Sequence, residues 1–266
     1  MKAAVIIHGG AGNWHKDSMP KANEILEKAV ELGSGILKRG GSSLDAVEKS
    51  VNILENSGYF NDGLGSVKQL DGKQRMDAAI MEGKYLRCGG VMIVENILNP
   101  ISAARKVMEN TEHVLLSGKF ATKFAVKNGI KTISKYKKPA VECDTVGAIA
   151  VDYKKVIAVG NSTGGAGKML AGRVGDCAVI GAGLYATKKV GATVTGKGEA
   201  AIRTTVSRKA CDLIEEGYSV QEAAKRAIKM LTKKTGFKSG IIILNKNGDY
   251  GVWHNTKAMP WAYRRI

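Results

Sequence analysis

The 266-residue chain is poor in proline (4), cysteine (4), histidine (4) and aromatic residues (6%). Each shortage excludes something. Cys88, Cys143, Cys177 and Cys211 form no C-x-x-C pair, so a disulfide framework is not expected and reduced thiols are. His8, His15, His113 and His254 show no zinc-ligand spacing. No apolar run reaches the roughly eighteen residues of a membrane span. The start, MKAAVIIHGG, reads as a first strand rather than a leader, and a cytoplasmic protein without a membrane partner is expected. Acidic residues are also short: 41 Lys and Arg face 24 Asp and Glu, a net charge of +17. That excess suits a nucleic-acid partner, but aromatics rarely sit between the basic residues, as stacking platforms require. Lys225, Arg226, Lys229, Lys233 and Lys234 instead spread along one helix, as on a solvated face. No nucleic-acid partner is expected.

Glycine, by contrast, is abundant at 33 residues, and 44% of the chain is hydrophobic. Tight turns and a sizeable core follow. Residues 3–7 read as a buried strand. Periodicity predicts helices over 21–39 and from Ser42, where Asp45 completes a capping signal. Residues 64–94 suggest two or three short strands broken by DGK and GGV. Helices are expected at 100–108 and about 117–128, and a linker at 129–144. The second half predicts strands at 145–152, 155–160, 177–182 and 190–195. Helices at 199–216 and 219–234 follow, then a hairpin of 239–245 and 249–254 across NKNGD. Strands cluster and helices come in consecutive pairs, which indicates an α+β fold with sheets stacked between helix layers.

Several short stretches carry chemistry. GNSTGGAGKM resembles a phosphate loop, but Ser162 and Met169 each break G-x-x-x-x-G-K-[ST], so an NTPase is excluded. HGGAG is not a dinucleotide fingerprint either. Thr145 stands at the join of a lysine-rich stretch and an apolar run. On spacing alone it is an ordinary strand-opening threonine. No histidine lies near it in sequence, so a nucleophilic role requires another base. Its own α-amine would serve, if the Asp144–Thr145 bond were broken. Gly147 leaves room for a backbone or substrate to come close. A tight antiparallel hairpin would bring Thr163 back beside Thr145. Arg173 and Asp176 in GRVGD suit either a surface ion pair or a clamp for a zwitterion. TGKGE (195–199) offers a hydroxyl and backbone N–H groups for an oxyanion.

In order along the chain stand IHGGAG (7–12), GGSSLDAVE (40–48), FNDGLGSV (60–67), LDGKQRMDAAIM (70–81), NPISAARKVME (99–109), DTVGAIAVD (144–152), STGG (162–165), GRVGD (172–176), IGAGLYA (180–186) and TGKGE (195–199). Together they resemble the plant-type L-asparaginases with isoaspartyl-peptidase activity, which are N-terminal-nucleophile hydrolases. The resemblance implies a four-layer αββα sandwich in a single domain, residues 1–266. It implies autocleavage between Asp144 and Thr145 into segments 1–144 and 145–266, and a homo-oligomer, a dimer of such cleaved pairs. It also implies hydrolysis of L-asparagine or β-aspartyl dipeptides, small-molecule substrates, with no cofactor for catalysis. By that resemblance Thr145 is the nucleophile and Thr163 the second threonine beside it. Arg173 and Asp176 hold the substrate, Thr195 and Gly196 form the oxyanion hole, Gly198 lines the pocket, and Asn61 lies near the nucleophile. Leu54, Glu55, Ser57, Phe60, Asp62 and Leu64 align with a loop whose backbone oxygens hold a structural sodium ion in relatives. Cys143-Asp144 departs from the commoner His-Gly or His-Asp, and an aspartate before the nucleophile is also usual in glycosylasparaginases. Glycosylasparaginase activity and an inactive basic nucleic-acid binder are the alternatives.

Overall fold

The computed structural model describes residues 2–137, 139 and 145–266. Cys143 and Asp144, the residues expected before the cleaved bond, lie outside these. Two sheets organise the chain. The larger has seven strands in the order β11-β1-β5-β6-β2-β3-β4. These are β1 (Ala4–His8), β2 (Met76–Glu82), β3 (Arg87–Val94), β4 (Leu115–Ser117), β5 (Val146–Val151), β6 (Ile157–Thr163) and β11 (Trp261–Arg265). Every pairing is antiparallel except that of β3 with β4. The smaller sheet runs β10-β9-β8-β7, all antiparallel, from β7 (Leu184–Ala186), β8 (Val190–Gly196), β9 (Ser239–Asn245) and β10 (Tyr250–His254).

Helices α1 (Met19–Lys38), α2 (Ser43–Ser57), α3 (Pro100–Asn110) and α4 (Gly118–Lys127) pack on the larger sheet; α5 (Gly198–Thr204), α6 (Val206–Glu215) and α7 (Val220–Thr235) pack on the smaller. The fold is α+β. Helix α2 begins where expected: Asp45 N–H donates to Ser42 Oγ at 3.1 Å and the Asp45 carboxylate accepts from the Ser42 backbone. That reciprocal box satisfies two orphan donors of the first turn.

Strand alternation sorts side chains among three cores, one between each sheet and its helices and one between the sheets. On β1, Val5 and Ile7 face the helices, whereas Ala4 and Ile6 face the other sheet. On β5, Val146, Ala148 and Ala150 face the helices, whereas Ile149 and Val151 face inward. On β9, Ile241 and Ile243 meet the helices of the second half, and Ile242 and Leu244 enter the seam. Strands buried on both faces read as continuous apolar runs, which is why AAVII and SGIIIL carry no alternation.

Five expectations are corrected. Residues 177–182 form turns instead of a strand: the N–H groups of Val179 and Gly183 both donate to Asp176 O, folding the chain back on Asp176. The helix expected at 199–216 breaks at Thr205, whose φ of 45° lies in the left-handed region. Gly89-Gly90 lie inside β3 rather than between strands, because Gly89 packs against Ala104 O and Met108 of α3 and admits no side chain. Strand β11, at the edge of the larger sheet, and the short β4 were not anticipated. The described part of the expected linker, 129–137, is anchored: Lys137 N–H donates to Leu64 O at 2.7 Å and Tyr136 Oη accepts from Asn96 N–H at 2.9 Å. Among the described residues no helix is long and apolar enough to cross a membrane.

Candidate active site

Strand parity brings the candidate residues together. β5 and β6 are antiparallel with Val146 opposite Ser162, so one step further Thr145 stands across from Thr163. Odd-numbered residues of β5 and β6 point into the seam between the sheets, as Ile149, Val151, Ile157 and Val159 do. Thr145 and Thr163 therefore share that face, at its far end. Across the seam, β8 ends at Thr195-Gly196, paired with Gly240 and Ser239 of β9.

A cavity of about 200 Å³ opens at this end. It is lined by Thr145, Thr163, Arg173, Asp176, Gly196 and Gly198, with Gly165, Ala166, Lys197 and Lys238. Six of the eight catalytic and substrate-binding residues expected from the sequence thus meet in one place. The other two stand behind it. Thr195 is fully buried, and its Oγ1 accepts from Ala11 N–H at 3.1 Å. That bond ties the HGGAG loop to β8 and leaves the Thr195 hydroxyl hydrogen available to donate. Asn61 Nδ2 donates to Gly165 O at 2.5 Å, its Oδ1 accepts from Val67 N–H, and its carbonyl accepts from Gly164 N–H. Asn61 therefore shapes the STGG turn. Thr163 Oγ1 accepts from Gly165 N–H at 3.0 Å, which leaves its own hydroxyl hydrogen available to donate.

Thr145 is 2% exposed, and its Oγ1 accepts from the Cys177 thiol at 3.4 Å. Burial pushes the Cys177 thiol well above its ordinary range, so the sulfur remains a protonated, weak donor. His8, distant in sequence, stands opposite Gly147 in the register of β1 and β5. A methyl group on Gly147 would lie 2.5 Å from His8 Nε2 and 2.8 Å from Thr193 Oγ1. The glycine is thus needed to seat two side chains, not a backbone or substrate as expected. Burial lowers the His8 pKa to about 3, which keeps the ring neutral.

Arg173 and Asp176 do not form the surface ion pair that their spacing allowed. Arg173 Nε donates to Glu199 Oε1 at 3.0 Å. Asp176 is buried, its Oδ2 has no protein partner among the described residues, and burial raises its pKa to about 7. A Cβ on Gly198 would meet Arg173 Nη2 at 2.6 Å and Asp176 Oδ1 at 2.9 Å. Gly198 lets the two charged groups approach each other. Asp77 on β2 holds the loop from the other side, accepting from Gly175 N–H and Ile93 N–H, each at 2.7 Å. Sequence reasoning missed Asp77, Cys177, Glu199, Lys197 and Lys238 as part of the site. Asp77 and Glu199 lay inside quoted motifs, but nothing in their spacing indicated a partner.

The loop expected to hold sodium runs from the end of α2 to a short 3-10 turn at Gly63–Gly65. Its glycines admit carbonyls: a Cβ on Gly63 would clash with Glu55 O and one on Gly65 with Phe60 O. Leu54 O accepts from Ser57 Oγ, Asp62 O from Gly65 N–H, and Leu64 O from Lys137 N–H. Both Asp62 carboxylate oxygens are buried with no protein partner among the described residues, and burial, then Glu55, raises its pKa well above the ordinary value. Glu55 itself is raised to about 8, chiefly by burial. Carbonyl oxygens beside two buried carboxyl groups fit a hard cation. Among the described residues no cluster of three or more His, Cys, Asp or Glu side chains could hold a metal.

A buried hydroxyl just before a strand, a threonine facing it, and a guanidinium and a carboxyl group at the same cavity make a small polar pocket on an α+β frame. Comparison places it more narrowly: the chain belongs to the family described as Asparaginase, whose model matches residues 1–139 and 132–265. It is 42% identical to the plant-type L-asparaginase of Pyrococcus furiosus, over 98% of this chain and 96% of that protein. It is 43% identical to the plant-type L-asparaginase of Thermococcus kodakarensis, over 99% and 96%. It is 38% identical to the isoaspartyl peptidase/L-asparaginase of Homo sapiens, over 98% and 93%. The first of these alignments spans 296 positions, more than the 266 residues here, so that relative carries extra segments. An enzyme, not an inactive binder, is the reading these similarities support.

Proposed function

We propose that this chain is an autoprocessing amidohydrolase that releases L-aspartate from L-asparagine or β-aspartyl dipeptides. The observation that carries the proposal is the meeting of Thr145, Thr163, Arg173, Asp176, Gly196 and Gly198 around one cavity. In this reading the packing of helices outside two stacked sheets is the four-layer αββα sandwich of N-terminal-nucleophile hydrolases. Thr145 Oγ attacks the Asp144 carbonyl, the acyl group moves from nitrogen to oxygen, and water hydrolyses the ester. The products are residues 1–144, ending in a carboxylate, and residues 145–266, beginning with a free amine.

That amine is then the base for the hydroxyl of the same residue. The substrate ammonium docks on Asp176 and its carboxylate on Arg173. Thr145 Oγ adds to the side-chain carbonyl while its proton passes to the α-amine. The oxyanion accepts from the Thr195 hydroxyl and the Gly196 N–H. Collapse breaks the C–N bond, the proton leaves with ammonia or an amino acid, and a β-aspartyl ester remains on Thr145. Water attacks that ester and frees aspartate. Thr163 orients the nucleophile, and Asn61 acts through the turn that holds Thr163. A sodium ion bound by the carbonyls of Leu54, Glu55, Ser57, Phe60, Asp62 and Leu64 would supply positive charge beside Asp62 and Glu55 and brace the loop bearing Asn61. Two cleaved pairs associate as a homo-oligomer.

Intact mass after incubation is expected to give two fragments meeting at Asp144/Thr145, together with release of ammonia from asparagine. Thr145→Ala is expected to remain one polypeptide and lose roughly 10⁴-fold or more in turnover. Aspartate release by an uncleaved Thr145→Ala protein would overturn the assignment. Turnover of a glycosylated asparagine in preference to asparagine and β-aspartyl-leucine would redirect it to the glycosylasparaginase branch.

A further inference from the structure

The rim of the catalytic cavity carries more positive charge than an aspartyl head group requires. Lys197 and Lys238 both line it, beyond Arg173. Their placement follows from the register of β8 and β9: Gly196 pairs with Ser239, so the residues just outside that pair, Lys197 and Lys238, flank the cavity mouth. Gly196 has no room for a side chain, since a Cβ there would lie 2.9 Å from Lys238 O and 2.6 Å from Ser239 Oγ. Lys238 is also shared with a second cavity of about 460 Å³, formed by residues 11–13 and 255–257 and bearing Lys257. Lys238 thus borders both the catalytic cavity and a larger one that carries a further lysine.

The charges within reach are unevenly committed. Asp176 and Arg173 face the proposed head group, and Glu199 accepts from Arg173. Lys197 Nζ lies 3.6 Å from Glu199 Oε2, but both side chains are 45% exposed, and such a pair is worth about 0–1 kcal/mol. Lys238 is exposed and enters no ion pair among the described residues. Asparagine has nothing to offer these lysines, because its leaving group is ammonia. The leaving amino acid of a β-aspartyl dipeptide brings an α-carboxylate, and an acidic one brings a second carboxylate.

We propose that Lys238, with Lys197 and Lys257, forms a leaving-group subsite that selects β-aspartyl dipeptides with an acidic second residue. This rests on the amidohydrolase reading above and names its preferred substrate class. The pairs would be partly solvated, so the preference is modest and sensitive to salt.

The test is kcat/KM for β-aspartyl-glutamate, β-aspartyl-leucine, β-aspartyl-lysine and asparagine at low and high ionic strength. The parent protein is expected to favour the glutamate over the lysine dipeptide by about tenfold at low salt, and less at high salt. Lys238→Glu is expected to bring that ratio to one or below, and Lys257→Gln to reduce it. Taking the ratio within each protein removes differences in folding and cleavage. A parent ratio near one, or one that both variants leave unchanged, would overturn the subsite while leaving the amidohydrolase reading intact. Failure of the parent to hydrolyse any of the four substrates would overturn both.

Discussion

The seam between the two sheets has two ends, built from the same strands and opposite in chemistry. At one end Ile149, Val151, Ile157 and Val159 meet Leu184, Ala186, Ile242 and Leu244, all buried and apolar. At the other, the same faces present His8, Thr145, Asn161, Thr163, Thr193 and Thr195, equally buried. His8, Asn161 and Asp176 keep polar atoms there without a protein partner among the described residues. Burying such groups costs free energy, and well-folded chains hold few of them. The apolar end fixes how the sheets sit on each other. The polar end uses that rigidity to hold hydroxyls, a carboxylate and a guanidinium around a small cavity.

Three substitutions would sharpen or break this contrast, and the largest effect is expected at Asp176. Its folded pKa of about 7 lies above the ordinary carboxylate value of 3.8, because burial disfavours the charged form. Between about 4 and 7 the folded protein keeps a proton that the unfolded chain has lost, so stability falls as pH rises through that window. Recognition of an ammonium needs the carboxylate, so kcat/KM is expected to fall as pH drops below about 7. Asp176→Asn is expected to lower kcat/KM by roughly a hundredfold or more and to raise the melting temperature at pH 8. Pre-steady-state kinetics with calorimetry across pH 5–9 checks both signs; lower stability at pH 8 would contradict the burial argument.

Ile149→Ala probes the apolar end of the seam. It is expected to cost about 2–5 kcal/mol in denaturant unfolding while leaving KM of the folded enzyme within about twofold. A large change in KM would mean that the two ends are not separable. The smallest effect is expected at Cys177, whose thiol donates to Thr145 Oγ1. Thiol hydrogen bonds are weak, so Cys177→Ala is expected to reduce kcat about threefold, and Cys177→Ser to restore it. Single-turnover rates with equal cleaved fractions make the comparison clean.

Helix and strand patterns were largely legible because they are local. The capping box of α2, the helix opened by Pro100 and the 239–254 hairpin are written in neighbouring residues. The order of the motifs identified the family. Local pattern misjudged residues 177–182, where an apolar sequence is folded into turns on Asp176, and missed β11, whose pairing with β1 joins the two ends of the chain. Thr145 and Thr163 could be paired from the hairpin between them. The ties of Asp77 to Gly175, Thr195 to Ala11 and Cys177 to Thr145 could not, since each links segments far apart or strands of different sheets.

By itself the sequence determined most of the strands and helices, the threonine that precedes β5, and the family to which the chain belongs. These depend on side-chain period, capping and turn chemistry acting over a few residues. Only the tertiary structure decided that Arg173 pairs with Glu199 instead of Asp176, that His8 meets Gly147, and that Lys197 and Lys238 flank one opening. The reason is that partners drawn from distant segments depend on how those segments align: on the strands, one residue of slip would turn His8 to the other face, and the loops at the strand ends move with that register.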